Sequence, residues 1–127
     1  MVYRAENSCG IKWRQRTIRI KKSEYQIDWA YEKLECGYYV VAVKHSGLVG
    51  LSYCAPDDAL PHWNPEKSIE LAFARRRIRD DIKFITYDNP SISHFVALEY
   101  EVINGFVPHA VIREVQKCIS TVTVGVL

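Results

Sequence analysis

Two apolar runs of strand length flank a glycine-containing turn, and this pattern restricts the fold more than any other. Residues 38–44 and 48–54 are rich in Val, Tyr and Leu, and His45-Ser46-Gly47 separates them. β-Branched and aromatic residues favour strands, and a short connection that contains glycine favours a tight reversal of the chain. The sequence therefore predicts an antiparallel β-hairpin near the middle of the chain.

Large apolar side chains recur at every second position just before this hairpin. Segment 25–32 has a Tyr, an Ile, a Trp and a Tyr at alternate positions. This period of two favours a half-buried strand. A helix is the alternative, because Ser23 and Gln26 resemble a capping box and Gly37 would end the helix. We favour the strand, because four bulky residues at a strict period of two suit a pleated sheet.

Residues 11–20 form another predicted strand, and its polar positions are strongly basic. Ile11 and Trp13 alternate with basic residues, which is typical of a half-exposed strand. Trp13 and exposed tyrosines would offer stacking partners to nucleobases on this cationic surface. Positively charged edge strands also prevent sheets from aggregating, and the acidic residues that follow would neutralise the charge across the hairpin. The residues predicted to contact nucleic acid here are Lys12, Arg14, Arg16 and Arg19.

A proline-rich loop leads into the strongest helix signal of the chain. Asn64 suits the N-cap, Pro65 the first helical position and Glu66 the first turn. The pattern predicts a helix over residues 65–82 or 65–84. Its apolar stripe would consist of Leu71, Ala74, Ile78, Ile82 and Ile85.

Three further elements are predicted in the last third of the chain. Residues 94–103 carry apolar side chains on both parities and predict a strand. Pro108 would open a second helix, since apolar residues follow it at helical spacing. Residues 121–127 alternate Thr and Val and would add a final strand. The element order predicts an α+β fold, an antiparallel sheet of five to six strands packed by two helices.

Length and composition fit a single globular domain over residues 1–127. The chain is 48% hydrophobic and 25% charged, with a formal net charge of +2, which excludes a disordered or fibrous protein. Residues 1–7 lack the apolar core of a signal peptide, and no run approaches the ~20 apolar residues of a membrane helix. We therefore expect a cytoplasmic protein, in the host cytoplasm if it is viral, without membrane contact and with its four cysteines reduced.

An arginine-rich stretch of the long predicted helix is the most informative candidate site. At 100° per residue, Arg75, Arg79 and Lys83 follow one row, and Arg76 lies beside it. Guanidinium forks bind phosphates through paired hydrogen bonds. Arg76 would alternatively pair with Asp80 on a solvated face, but Arg75 and Arg79 have no acidic residue four positions later. The row predicts contact with an anionic ligand.

The loop before this helix would complete a ligand pocket. His62 and Trp63 precede the helix N-terminus, whose backbone N–H groups favour anions. A nucleobase would stack on Trp63 while its phosphate met the helix end or the arginines. The alternative is a structural connection in which Trp63 seals the core.

Catalysis and metal binding have weak sequence support. Cys54 with His62 or His45 would provide a thiolate and base, and His94 with an acidic residue would provide an acid–base pair. Neither pairing has the local signature of a known catalytic site. The Cys and His residues lack the close spacing typical of metal ligands. We therefore predict a protein that is not an enzyme and has no cofactor or metal.

Residues 38–83 resemble small accessory proteins carried by bacteriophages. The resemblance rests on a Val-rich hairpin that leads to GLSYCAPDD at residues 50–58, followed by a helix that reads ELAFAR at residues 70–75. In such phage proteins, small residues usually follow the first arginine of this helix, whereas this chain has Arg76 and Arg77 there. The resemblance implies a class of non-catalytic inhibitors of host defence, which sequester a nucleotide signal or cover a nucleic-acid site.

These observations predict a non-enzymatic binding protein for an anionic ligand, either a nucleotide or a nucleic acid. In the setting that the phage resemblance implies, such binding would block a host defence system. The alternative is an inhibitor or assembly module that binds a host protein through an aromatic surface, since eight tyrosines are present. A small Cys/His enzyme is the third hypothesis. We also expect a homo-oligomer, formed by pairing of strand 121–127 between copies.

Overall fold

The computed structural model describes residues 10–59, 63–80 and 91–119, with side chains up to residue 116. Contacts divide the chain into two compact units. The sheet unit is Trp13–Asp80, and the helical unit combines Met1–Lys12 with Asp81–Leu127. We describe each unit separately, and the single domain over residues 1–127 stays a prediction.

The sheet unit is built on five antiparallel strands that follow one another in sequence order across the sheet. Together with the helices described below, this sheet confirms the predicted α+β fold class. The strands are β1 (Arg14–Ile20), β2 (Ser23–Lys33), β3 (Tyr39–His45), β4 (Leu48–Cys54) and β5 (Ile78–Arg79).

The segment that begins with Tyr25 is part of strand β2, as predicted, and does not form the alternative helix. Its alternating large residues face the same side of the sheet, where Ile27 and Trp29 are buried. A period of two buries one face of a strand and exposes the other, as the alternation predicts.

The predicted hairpin of β3 and β4 is also confirmed. Ser46 and Gly47 adopt positive φ angles of 55° and 78° in its turn, which matches the twist of the paired strands.

The loop after β4 contains a short helix, α1 (Pro56–Ala59), and leads to α2 (Glu66–Ala74). The side chain of Asn64 accepts a hydrogen bond from the Glu66 backbone N–H at 2.9 Å, so it satisfies one donor of the first turn as predicted. Helix α2 buries Ile69, Ala72 and Phe73 against the same sheet face as Ile27 and Trp29.

The long helix predicted over residues 65–82 or 65–84 is wrong, because the helix ends at Ala74 and residues 75–80 are not helical. Leu71 and Ala74, predicted in the apolar stripe, are exposed, and Ile78 lies on β5. The chain leaves the helix because backbone groups of the β4 edge provide partners: Arg77 N–H donates to the Val49 carbonyl at 3.1 Å. Ile78 is then almost fully buried beside Val49. Residues 82 and 85 of the predicted stripe lie outside the described residues.

The strand predicted over residues 94–103 is also wrong. This region forms α3 (Ile92–Leu98) and a π-helical turn (Glu99–Ile103). Ser91 starts the helix: its backbone N–H donates to His94 Nδ1 at 3.0 Å, and its hydroxyl lies 2.8 Å from the same nitrogen. Apolar residues occur at both odd and even positions of this segment because the helix is buried on nearly all sides.

The second predicted helix is confirmed as α4 (His109–Ile119). It begins after Pro108, whose carbonyl accepts hydrogen bonds from the backbone N–H groups of Val111 and Ile112. The predicted strand 121–127 lies outside the described residues. No helix within residues 10–59, 63–80 and 91–119 is long and apolar enough to cross a membrane.

Candidate functional site

The structure does not place the predicted arginines on one helical row. Arg75 is the exposed C-cap of α2, Arg76 follows the helix end and Arg79 lies on β5 opposite Leu48. Lys83 lies outside the described residues. The row predicted from helical spacing is wrong because α2 ends at Ala74. A role of these residues in ligand binding stays a prediction.

Arg76 is held by contacts within the sheet unit. Its Nε donates to the Phe73 carbonyl at 2.8 Å, and its guanidinium lies 3.8 Å from the centre of the Phe73 ring. Its Nη1 donates to His45 Nδ1, which must therefore be unprotonated. Burial, with a further contribution from Arg76, lowers the pKa of His45 below its ordinary value of 6.5. Arg76 thus has a structural role that helical spacing alone did not reveal.

This pairing predicts that the protein loses stability as the pH falls through the range just below 6.5. The lowered pKa of His45 means that the unfolded chain binds the proton more tightly than the folded one, so protonation favours unfolding. His94 acts in the same direction, because burial lowers its pKa too. Urea midpoints measured from pH 8 to 5.5 should fall, and the fall should be smaller in His45→Gln. A midpoint that stays constant or rises on acidification would contradict this assignment.

Four aromatic side chains form a continuous group at one end of the sheet, which we call the aromatic platform. It consists of Trp29 and Tyr31 on β2, Tyr39 on β3, and Trp63 from the loop before α2. Trp63 stacks on Tyr39 with ring centres 4.2 Å apart and an angle of 18°. Tyr31 lies 4.9 Å from Trp63 and 5.9 Å from Trp29. Tyr31 is 40% exposed, so part of the platform reaches solvent.

Three basic side chains border the aromatic platform. The guanidinium carbon of Arg14 lies 5.7 Å from the Trp29 ring and 5.6 Å from the Tyr31 ring. Arg16 lies 5.9 Å from Trp29, and the Lys33 ammonium lies 5.7 Å from Tyr39. The strand register explains this arrangement, since it pairs Arg14 with Trp29 and Lys33 with Tyr39 across neighbouring strands.

Strand alternation separates the charges of β1, β2 and β3 onto opposite faces. The residues of β2 that share the platform face have odd numbers, whereas its acidic residues Glu24, Asp28 and Glu32 have even numbers. These carboxylates therefore project from the opposite face. On the platform face, β1, β2 and β3 carry Arg14, Arg16 and Lys33 and no carboxylate. These strands therefore present cations and aromatic rings on one face, and Glu66 of α2 lies 4.0 Å from Arg16 at its border.

The other predicted cations of the first strand have different positions. Arg19 projects from the opposite face and donates to Glu24 at 2.9 Å. Lys12 belongs to the helical unit. Arg16 lies 4.0 Å from Glu66, a distance at the outer limit of an ion pair. Within the sheet unit, Arg14 and Arg16 are therefore the predicted nucleic-acid contacts that lie beside the platform.

Trp63, predicted to bind a base at the helix end, packs into the platform, and His62 lies outside the described residues. Sequence patterns missed Tyr39, which lies in the predicted hairpin, and Lys33, which directly follows the predicted strand 25–32. Their position at the platform depends on the pairing register of β2 and β3, which local sequence patterns do not determine. The period of two in β2 was the available signal for Tyr31, because it placed that ring on the face of Trp29.

Cys54, one of the candidate catalytic groups, lies in surroundings that disfavour its thiolate form. Burial and the Asp58 carboxylate raise the pKa of the Cys54 thiol, and the Trp63 indole N–H offsets part of this increase. A thiol in such surroundings stays protonated near neutral pH and is a poor nucleophile. Among the residues with described positions, no three His, Cys, Asp or Glu side chains come together as a metal site would require.

Comparison with known proteins gives no family assignment. No family model, curated protein or solved structure matches the chain. The resemblance of residues 38–83 to phage accessory proteins stays a prediction.

Proposed function

We propose that this protein is a non-enzymatic binding protein that takes a nucleobase and its phosphate on the aromatic platform. The ligand is a nucleotide or a single-stranded nucleic acid, which share this chemistry. The proposal rests on one observation, the distribution of charge on the strands. The partly exposed Tyr31 lies on a strand face that has no carboxylates. The cations on this face are Arg14, Arg16 and Lys33. This combination meets the two requirements of the ligand, an aromatic surface and a positive one.

Stacking would supply most of the binding energy at the centre of this surface. A base that stacks on an aromatic side chain contributes about 1–3 kcal/mol, with little dependence on which base it is. Tyr31 offers the accessible ring, while Trp29 and Trp63 hold it in place from two sides. A base on Tyr31 would also lie near the planar guanidinium of Arg14, which stacks on bases and binds phosphate.

The same geometry favours unpaired bases over a duplex. Bases within a duplex are stacked on each other and do not offer their faces to a side chain, so sequence-tolerant stacking surfaces select single strands. A platform at the end of a sheet, with cations on β1 and β2, suits one or a few exposed nucleotides.

The biological role that follows is sequestration. Such a surface inhibits a process by holding its nucleotide signal or covering its single-stranded substrate, and it needs no catalytic group. This agrees with the inhibitors of host defence that the phage resemblance implies, and with the inactive environment of Cys54.

Calorimetric titration with two matched double variants tests the proposal. Arg14→Ala/Lys33→Ala should weaken binding of a single-stranded oligonucleotide about tenfold or more, because it removes two charges beside the platform. Arg75→Ala/Arg79→Ala is the control, because it removes two arginines on other elements, and it should bind as the parent does. The proposal is wrong if the two variants bind equally well.

Titrations with different ligands and at different salt concentrations distinguish a free nucleotide from a single-stranded nucleic acid as the source of the phosphate. The protein is titrated with mononucleotides, a single-stranded oligonucleotide and the corresponding duplex. If three phosphates are contacted, the logarithm of the binding constant for the single strand should fall with the logarithm of salt concentration with a slope of about −2. Tight binding of a mononucleotide with no gain from the strand would identify a nucleotide receptor, whereas stronger binding of duplex would contradict the platform as the site.

A protein partner is the second candidate function, and an apolar group in the helical unit favours it. Phe106 is 75% exposed, Val102 54% and Tyr100 38%, all at or just after the π-helical turn. Exposed apolar residues that are close in sequence are typical of contact surfaces. Absence of binding to every nucleotide and oligonucleotide in the calorimetric series would favour this alternative.

A further inference from the structure

Strand β1 has an open edge whose hydrogen-bonding groups can be assigned from the register. Among the described residues it pairs with β2 alone, through seven consecutive pairs that end at Ile20 and Ser23. In a hairpin with a two-residue loop, the residues flanking the loop exchange both backbone hydrogen bonds, and such pairs alternate along the strands. The intervening residues, Gln15, Thr17 and Arg19, therefore direct their N–H and C=O groups away from β2. All three are exposed.

A groove of about 260 Å³ lies between this edge and helix α2. Arg16 gives its β1 rim a basic group, and its rim on α2 is acidic, formed by Glu66 and Glu70. Ile18 and Ile69 contribute the apolar lining. The groove thus has both the open backbone groups that accept a strand and two rims of opposite charge.

We propose that the β1 edge is the interface with a second copy of this chain, which pairs antiparallel about Thr17. In this register, Thr17 lies opposite Thr17 of the partner subunit, and Gln15 lies opposite Arg19 of the partner subunit. All three outward-directed residues then find backbone partners, and the two sheets become continuous. No arginine lies directly opposite another arginine, so the arrangement avoids the repulsion that a basic edge would otherwise cause.

The two rims of the groove are complementary when a two-fold axis passes through Thr17. Residues that face each other across antiparallel strands share one side of the sheet, so Arg16 lies opposite Ile18 of the partner subunit. Ile18 and Glu70 line the same groove. The guanidinium of Arg16 therefore enters the partner's groove toward that acidic rim. A two-fold axis makes this contact twice, which favours a second copy over an unrelated strand.

The charge on the edge is largely compensated within each copy. Arg19 already donates to Glu24 at 2.9 Å, and Arg16 lies 4.0 Å from Glu66. Two of the three β1 arginines therefore bring a carboxylate with them, and association does not bring together two uncompensated basic strands. The inference depends on the sheet edge and needs no bound ligand, although Arg16 also borders the aromatic platform.

The oligomeric state of the full chain, measured by light scattering after gel filtration at about 100 µM, tests the interface. We expect a dimer for the parent and for Thr17→Val, and a monomer for Thr17→Pro. Proline removes only the outward N–H of residue 17, so an edge strand tolerates it while pairing between copies is lost. A monomeric parent, or a Thr17→Pro dimer, would overturn the proposal.

Two further measurements decide the question if Thr17→Pro fails to fold. Arg16→Glu should give a monomer, and Arg16→Glu/Glu70→Arg should restore the dimer by exchanging the charges across the axis. In the unmodified protein, amide exchange at Gln15, Thr17 and Arg19 should slow as the concentration rises. A double variant that stays monomeric, or exchange at these three amides that does not change with concentration, would overturn the interface.

Discussion

Gly50→Ala is expected to lower the free energy of unfolding by about 3 kcal/mol, because overpacking at this site moves backbone rather than flexible side chains. A Cβ atom at residue 50 would lie 1.9 Å from the Ala72 carbonyl oxygen and 2.8 Å from the Arg76 backbone nitrogen. Strand β4 and helix α2 approach each other through this missing side chain. The substitution would therefore separate the sheet from the helix that covers it.

Urea unfolding followed by circular dichroism measures this effect, with Gly47→Ala as the matched control. Gly47 has a φ of +78°, but its added Cβ would meet nothing closer than the Asp80 side chain at 4.0 Å. The control should therefore lose only about 1 kcal/mol, the usual cost of a side chain at positive φ. Equal losses for the two variants would show that the contact between β4 and α2 is looser than the structure has it.

Tyr31→Ala should weaken binding of a single-stranded oligonucleotide about fivefold to 150-fold. The estimate corresponds to the loss of one base–aromatic stack, about 1–3 kcal/mol. Tyr31 is the partly exposed ring between Trp29 and Trp63, so its removal takes away the accessible face of the platform. Tyr31→Phe keeps the ring and should bind within about twofold of the parent, since stacking does not need the hydroxyl.

Fluorescence anisotropy of a labelled oligonucleotide gives these affinities, and circular dichroism checks that both variants keep the fold. A Tyr31→Phe variant that loses as much affinity as Tyr31→Ala would mean that the hydroxyl, and not the ring, makes the contact. A Tyr31→Ala variant that binds as the parent does would remove the platform from the account of binding.

The parts of the fold that depend on local pattern could be predicted from the sequence. The period of two in β2 and the short turn of the β3–β4 hairpin are properties of neighbouring residues, and both predictions are confirmed. The end of α2 depends on partners distant in sequence. Residues 75–82 continue the helical spacing, yet the Val49 carbonyl accepts from Arg77 and Ile78 enters the sheet. No pattern within residues 65–84 contains that information.

The candidate site shows the same division between local and distant information. Arg14 and Arg16 were predicted because they alternate with apolar residues on one strand. Lys33 and Tyr39 could be assigned to the site only from the strand register, which brings them side by side. Arg75 and Arg79 were grouped by a helical spacing that ends with α2. In residues 94–103, apolar residues on both parities fit a buried helix as well as a strand, and the capping by Ser91 and His94 was the local signal for the helix.

The contact between a base and Tyr31 can be measured directly with an oligonucleotide that contains 5-iodouracil. Irradiation links this base to an aromatic side chain in contact with it, and mass spectrometry of the peptides locates the link. Trypsin cleaves after Lys22 and Lys33, so Tyr31 lies in the peptide of residues 23–33. The platform account predicts that this peptide carries the main cross-link, at Tyr31. A cross-link confined to a peptide outside the platform, such as the one that contains Phe106, would contradict it.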